Sequence, residues 1–376
     1  MIGVLKKIHR KMKYIFLQRI QGISAFSANS DIEIINISNE NIFKMPETLD
    51  VFGNKNLNFI SYETIVPSYN VFIIKNGKCI IGREEVFNKN NSVIVEITSQ
   101  KTNPFIGKKI QEIKKAKKIK GNVVNLSLSF GLANNYYHFM VEYSARLFML
   151  RKSGIEPDYY ICPKKIKFQK EFLVYHHIDE CKILDIDDGV VIQAENLITP
   201  SLINNWEHVK FRGTTYYQKQ YLPIWITEVY NSYMPKKRGS KNIYISRSNA
   251  RYRKIENEDI IIKHLSKYNF EVHYLENYSV EQQIKLFNEC AVLIAPHGAG
   301  LINMCFCMEG IKILEIFPEY YHDHSFVLQA LFLKHKYHYL IGKTLINNNT
   351  VPIEENIQVN LELFSKAVDL LLANKP

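Results

Sequence analysis

The chain contains no uninterrupted apolar run near the roughly 20 residues that a bilayer-crossing helix requires, so no transmembrane helix is expected. Its N-terminus is basic but lacks the compact apolar stretch and small-residue cleavage site of a signal peptide. The expected location is the cytoplasm, either free or peripheral at the inner face of the cell membrane. Cysteine is sparse, with six residues at 79, 162, 181, 290, 305 and 307 and no zinc-ribbon or redox spacing. Cys305-Phe-Cys307 alone is too small a donor set for a metal, so reduced, buried thiols are expected. Several catalytic signatures are also missing. The glycines at 298 and 300 do not complete a dinucleotide fingerprint, because Asn303 stands where the third glycine belongs. Gly342-Lys-Thr344 lacks the upstream glycine of a phosphate loop, with Tyr337 in its place. No G-x-S-x-G elbow accompanies His297-Gly-Ala-Gly300, which argues against an esterase oxyanion loop.

What remains is a chain of 376 residues, long enough for two domains, with 46% apolar and 23% charged residues. The net charge is +11, and part of it is local. Lys6, Lys7, Arg10, Lys11, Lys13 and Arg19 precede the first acid, Asp31. Leu5, Ile8, Met12, Ile15 and Phe16 fall on one face of a helix over residues 4–20, with the basic residues between them. Such a helix suits an anionic membrane surface or the face of its own domain, and the sequence leaves both open. Residues 108–120 carry seven lysines and read as an exposed helix face or loop. Nucleic acid is not the expected partner, because the lysine runs lack interleaved aromatics and no helix-turn-helix stands out.

The residue pattern predicts α/β architecture. Val71–Ile74 and Val93–Ile97 read as short strands, and Asn76-Gly77 as a hairpin turn. A strand over 123–130, a helix over 134–152 ended by Gly154, and strands near 159–162 and 182–185 suggest a parallel, doubly wound sheet. A composition break at Met234–Ser240 looks like a linker. Beyond it, strands at 242–246, 270–275, 291–295 and 311–317 alternate with helices at 257–267, 280–288 and 301–308. An apolar-periodic helix closes the chain over 358–373. The expected domains are residues 1–234, residues 235–350, and a C-terminal helix over 351–376 that packs back toward the first domain.

Ligands of open parallel sheets bind beyond the carboxyl ends of the strands. Three features of the second half fall there. Arg247, Arg251 and Arg253 follow one strand, His297-Gly298-Ala299-Gly300 follows another, and Glu315 lies near the end of a third. Arginine forks suit phosphate oxygens, the glycine loop offers N–H donors where a helix begins, and a carboxylate accepts sugar hydroxyls. Together they outline a nucleotide-sized site. In the first half His138 and Glu142 share a helix face one turn apart, and can serve as base and orienting group or simply bond to each other. Arg146 continues that face. Asn257-Glu258 reads as a helix cap, and Asp185-Ile-Asp187 as a strand-end turn rather than a metal-binding D-x-D pair.

Tyr137-His-Phe-Met-Val-Glu142, Ile245-Ser-Arg247 with Arg253-Lys-Ile-Glu-Asn-Glu258, His297-Gly-Ala-Gly-Leu-Ile-Asn303 with Phe306, and Glu315-Ile-Phe-Pro318 follow one another in order. In order and spacing, across residues 123–320, they resemble glycosyltransferase family 61. The resemblance implies a GT-B fold, with two Rossmann-like doubly wound domains facing a cleft. It also implies inverting transfer from a nucleotide sugar, without a bound metal. By that resemblance Arg247, Arg253, His297, Gly298, Ala299, Gly300, Asn303 and Glu315 would hold the donor. His138 and Glu142 would face the acceptor, a growing surface glycan of capsule or lipopolysaccharide type or its lipid-linked precursor. Lys254 departs from the family pattern, where many members carry a second arginine. Two other readings stand beside this one: a non-catalytic module binding a polyanion or glycan, and a sugar-nucleotide hydrolase of the same fold.

Overall fold

The computed structural model describes residues 31–56, 58–83, 85–94, 97, 115–127, 130–203, 207–210, 216–344 and 351–373. The expected helix over 4–20 and the lysines at 108–114 lie outside the described residues. The chain divides into two compact units, Met1–Glu40 with Pro67–Ile203, and Asn41–Val66 with Asn204–Pro376. The break thus falls at 203/204, and the Met234–Ser240 segment lies within the second unit. No helix among the described residues is long and apolar enough to cross a membrane.

The first unit is built on a seven-stranded mixed sheet. Ile32–Ser38 pairs antiparallel with Tyr69–Lys75, which pairs antiparallel with Val191–Pro200. Lys78–Ile80 also pairs antiparallel with Val191–Pro200, and Val86–Phe87 with Lys78–Ile80. Lys117–Asn125 joins in parallel, to Val191–Pro200 on one side and Tyr159–Ile161 on the other. This is not the doubly wound sheet expected for the first domain. A parallel pair needs a crossover of a dozen or more residues, and the connections between Tyr69 and Phe87 are too short for one. The Asn76-Gly77 hairpin does not form either. Lys75 faces Asn196 and Lys78 faces Gln193, so the chain continues along one partner strand through a local kink at Asn76 (φ 52°). Lys117–Lys120, expected on a helix face or loop, opens the parallel strand instead. The core gathers Phe72, Ile74, Val123, Ile161, Ile192 and Leu197.

The helical segment after Lys117–Asn125 runs from Tyr136 to Ser153, close to the expected span. The Asn135 side chain accepts N–H bonds from Tyr137 and His138 at its start, and Gly154 (φ 70°) terminates it. Its middle, Phe139–Tyr143, is wound as a π-helix.

The second unit carries a five-stranded parallel sheet, whose last strand and the helix before it are additions to the sequence expectation. Strands β1 (Lys241–Ile245), β2 (Phe270–His273), β3 (Cys290–Pro296), β4 (Lys312–Phe317) and β5 (Lys336–Ile341) are all parallel, in the order β2-β1-β3-β4-β5. Helices α1 (Glu258–Leu265), α2 (Val280–Asn288) and α3 (Ser325–Phe332) make the crossovers after β1, β2 and β4. The crossover after β3 is a 3-10 helix, Ala299–Phe306, rather than an α-helix. Near-continuous apolar runs such as Ala291–Pro296 fit strands covered on both faces. A capping box of Ser279 and Gln282 starts α2. Asn41–Val66 belongs to this unit, where it forms the hairpin Asn41–Met45/Tyr62–Val66 and places Phe59 against Tyr339 and Phe317.

The C-terminal helix α4 (Leu361–Ala373) was expected to reach back to the first domain. It packs on its own unit's sheet. Its stripe Phe364, Ala367, Val368 and Leu371 follows helical spacing and meets Tyr244, Ile261, Leu265 and Leu314 in one core. Phe364 is fully buried there. Phe364→Ala is expected to lower the unit's stability by about 3–5 kcal/mol, read by denaturant unfolding. A change below about 1 kcal/mol would show that α4 contributes little to this core.

Candidate functional site

In the second unit the strand order reverses between β1 and β3, because the chain passes from β1 to β2 on one side and returns to β3 on the other. The carboxyl ends of these two strands flank the switch point where open α/β sheets bind ligands. Arg247 and Arg253 come from the loop after β1. Arg247 Nη2 donates to the Tyr252 carbonyl at 3.0 Å, and Arg253 Nη1 to the Ile353 carbonyl at 3.2 Å. The Arg253 guanidinium also lies 5.5 Å from the Tyr321 ring centroid. Both Nε atoms are buried without a partner, and neither arginine has a carboxylate within 4.0 Å among the described residues. Burial, with the charge of Arg253 second, lowers the Arg247 pKa to about 10. Two cationic forks are held together, short of hydrogen-bond acceptors.

Gly298 lies between them and β3. Its φ of 170° is ordinary extended backbone, so its glycine is explained by space rather than conformation. A Cβ at this position would collide with the Arg247 guanidinium. At Gly300 a Cβ would come within 2.8 Å of Leu275 Cδ1. The 3-10 helix starts here, so the first N–H groups of the loop have no partner in the preceding turn. Arg247 is laid directly over the glycine that opens this turn.

His297 and Glu315 are both buried and bonded, Nδ1 to Oε1, and the Tyr337 hydroxyl donates to Oε2 of the same carboxyl. The imidazole stacks on Phe317 (4.9 Å) and meets the ring edges of Tyr321 and Phe326. Burial pushes the Glu315 carboxyl well above the usual carboxylate range, opposed by the Tyr337 hydrogen bond and the Arg253 charge. Burial, then Arg253 and Arg247, pulls His297 well below the usual imidazole value. Both oxygens of Glu315 are thus engaged inside the protein. It stands behind His297, where the sequence suggested a direct contact with sugar hydroxyls.

The segment after β4 supplies groups that the sequence reading missed: Tyr321, His322, Asp323 and His324. Asp323 Oδ1 accepts the Ser325 N–H at 2.7 Å, while Oδ2 faces Gln220 Nε2 and the Tyr321 hydroxyl at 3.3 and 3.4 Å. His322 Nδ1 lies 2.6 Å from Asn58 Nδ2, so Nδ1 accepts, and its Nε2 is buried without a partner. Burial holds His322 at about 4. The available signal was positional, since this polar run begins just beyond the Phe317 end of a buried strand.

Other singled-out residues do not converge on the site. Arg251 is exposed and lies over its neighbour Tyr252. Asn303 is fully buried and donates to Gln283 Oε1 at 2.7 Å, which ties the 3-10 helix to α2. Asn257 occupies the N-cap position of α1 but makes no cap bond there, and its side chain bonds the Val359 main chain. Glu258 accepts from Tyr244 and Ser246. Lys254 is fastened through its N–H to Asn356 Oδ1. Asp185 pairs with Lys164, and Asp187 closes a turn to Val190, as expected for a strand-end turn. No group of three or more His, Cys, Asp or Glu among the described residues is placed to hold a metal ion.

In the first unit His138 and Glu142 are buried with Nδ1 and Oε1 3.5 Å apart. The π-helix that carries Glu142 follows the carboxyl end of the parallel strand Lys117–Asn125. Arg146, fully buried, donates to the main-chain oxygens of Asn125, Ser127 and Pro200 at 2.6, 2.8 and 3.3 Å. It clamps the ends of two parallel strands beneath the His138 helix. π-Helical turns concentrate at functional sites, which sets this segment apart from an ordinary buried helix.

Residues 136–314 match the model of the family described as Glycosyltransferase 61. The match spans just under half the chain, takes in His138, Glu142, both arginines and the glycine loop, and stops one residue before Glu315. No curated protein matches the chain.

Two outcomes follow from this geometry. Gly298→Ala should fold, because the Arg247 side chain can move aside, yet lose affinity for a phosphorylated ligand by about tenfold or more. Calorimetry with nucleoside diphosphates checks this, and unchanged affinity would remove the Arg247–Gly298 contact from the site. His322 binds its proton far less readily folded than unfolded, so stability is complete above about pH 6.5 and falls as the pH drops toward 4. The slope is about 1.4 kcal/mol per pH unit for this group. Denaturation of wild type and His322→Gln across that range should show a shallower slope in the variant.

Proposed function

We propose that this chain, a sugar-transferring enzyme by its glycosyltransferase family 61 domain, moves a sugar with inversion from a nucleotide-sugar donor to a hydroxyl of a growing surface glycan. The glycan is of capsule or lipopolysaccharide type, or its lipid-linked precursor. The observation that carries the donor half of this reading is the Arg247–Arg253 pair. Both are partly buried, both lack a carboxylate within reach among the described residues, and both stand at the switch point of a doubly wound sheet. A diphosphate supplies the acceptors that these forks lack. The parallel unit is then the donor half of a GT-B enzyme.

In the reaction the acceptor oxygen forms a bond to the anomeric carbon while the carbon–oxygen bond to the diphosphate breaks. The electron pair of that bond leaves with the nucleoside diphosphate. The developing charge meets Arg247, Arg253 and the N–H groups of Gly298, Ala299 and Gly300, a fixed array of donors that needs no reorganisation. The same positive groups take the role that a divalent metal fills elsewhere, so no cofactor enters the proposal. The acceptor proton passes to His138 as general base, with Glu142 stabilising the imidazolium that results. The basic residues within 4–20 and a peripheral position at the inner face of the membrane fit a lipid-linked acceptor.

The two halves of this reading separate in one kinetic experiment on a panel of nucleotide sugars. Arg253→Ala should weaken donor binding and turnover together, by about 10- to 100-fold. His138→Ala should leave donor affinity in place and reduce turnover by about 10²- to 10⁴-fold. Wild-type kinetics in Arg253→Ala would take that residue out of the donor site, and full turnover in His138→Ala would end its role as base. Donor cleavage that is independent of any acceptor would point to a hydrolase.

A further inference from the structure

Tyr337, Glu315 and His297 form a continuous chain of side chains across β5, β4 and the carboxyl end of β3. Nothing in the donor site as described requires a tyrosine two strands away from the switch point. Tyr337 is also the residue that breaks the phosphate-loop pattern ending at Gly342-Lys-Thr344. We propose that Tyr337 and Glu315 are positioning residues that fix the proton of His297 on Nε2, so that the imidazole presents a permanent N–H donor to a phosphate oxygen of the donor. This rests on the donor reading above and adds to it the device that sets the hydrogen-bonding sense of the loop.

The geometry restricts the proton positions. The Tyr337 hydroxyl donates to Oε2, leaving Oε1 for His297 Nδ1. One proton lies between Oε1 and Nδ1, and the question is whether a second one sits on Nε2. Without it, the pair carries a net negative charge in which a carboxylate, fully excluded from water, has no cation within 4.0 Å among the described residues. It would also turn a bare nitrogen lone pair outward. With it, the pair is neutral as a whole and Nε2–H points outward. Two cations already flank the ring, so a charged imidazolium gains nothing that Arg247 and Arg253 do not provide. The remaining neighbours are the rings of Phe317, Tyr321 and Phe326, the carboxyl of Asp323 near Glu315, and His322. The stacked rings fix the imidazole plane, and Glu315 fixes which edge carries the proton.

The proton on Nε2 is directly observable. In the full-length protein labelled with ¹⁵N-histidine, His297 should show a protonated Nε2 from about pH 5.5 to 8, the range in which a free imidazole titrates. Glu315→Gln keeps an N–H to give to Nδ1 and an oxygen for Tyr337, so it should preserve both that signature and the affinity for uridine, guanosine, adenosine or cytidine diphosphate within about threefold. Glu315→Leu should leave the tautomer unfixed and lower the affinity about tenfold. A wild-type His297 with bare Nε2, or tighter diphosphate binding by Glu315→Leu, overturns the proposal. If Glu315→Leu does not fold, the signatures of the wild type and Glu315→Gln decide the question alone. If the signature is present but none of the four diphosphates binds the wild type, the proton relay stands and the donor reading fails.

Discussion

Two guanidinium groups kept apart from carboxylates are the constraint around which the second unit is organised. A half-buried cation without a partner is costly, and the usual remedy is an acid nearby. Two acids are nearby, yet each is tied elsewhere. Glu315 is held between His297 and Tyr337, and Asp323 bonds the Ser325 N–H and faces Tyr321 and Gln220. Among the described residues the arginines meet main-chain carbonyls and an aromatic face. Such partners orient a guanidinium without neutralising it. A carboxylate in their place would stabilise the free protein and close the site to an anion, so the arrangement trades stability for binding capacity.

The same constraint explains the backbone around Arg253. Its φ of 56° lies in the left-handed region, which costs a non-glycine residue about 1–2 kcal/mol. The loop is held in that form from outside. Lys254 N–H bonds Asn356 Oδ1, Ile357 N–H bonds the Lys254 carbonyl at 2.8 Å, and Glu256 N–H bonds the Ile357 carbonyl at 2.9 Å. Residues 353–357 therefore act as a strap along the arginine loop. The chain that follows the strap enters α4, whose apolar stripe is buried in the sheet core. The packing of a distant helix thus maintains the conformation of Arg253.

The sequence made most of the second unit legible because strands such as β3 and β4 are short apolar runs bounded by turn residues, whereas β5, Lys-Tyr-His-Tyr-Leu-Ile, carries no such run and is not singled out. The same rule misread the first unit. Alternating apolar segments there suggest a parallel sheet, although the loops are too short for crossovers and Asn76-Gly77 kinks one strand instead of joining two. Gly298, Arg247 and Arg253 could be singled out from type and order, and the fold places them at the carboxyl ends of neighbouring strands. Residues whose role depends on a partner in space could not. Glu315 reads as a ligand contact because it lies near a strand end, and Asn303 because it belongs to the motif that carries the family resemblance. Only the register of β4 against β5, and the proximity of Gln283, show that their polar atoms are already occupied. Tyr337 carries no local signature at all.

The chain contains two histidine–glutamate pairs, and their difference follows from packing. His297 and Glu315 are in tight contact, with the carboxyl fully buried, a hydroxyl on its other oxygen, and cations beyond the ring. That environment resists any change in the charge of the imidazole, which suits a group that must donate one hydrogen bond throughout a reaction. His138 and Glu142 stand 3.5 Å apart on a widened helical turn, beyond the distance of a good hydrogen bond. An imidazole that acquires a proton there would be drawn toward its carboxylate, so the interaction strengthens as charge develops rather than before. Stabilisation that appears only along the reaction path is what accelerates a chemical step. Under the proposed function, the tight pair would serve binding and the loose pair proton transfer.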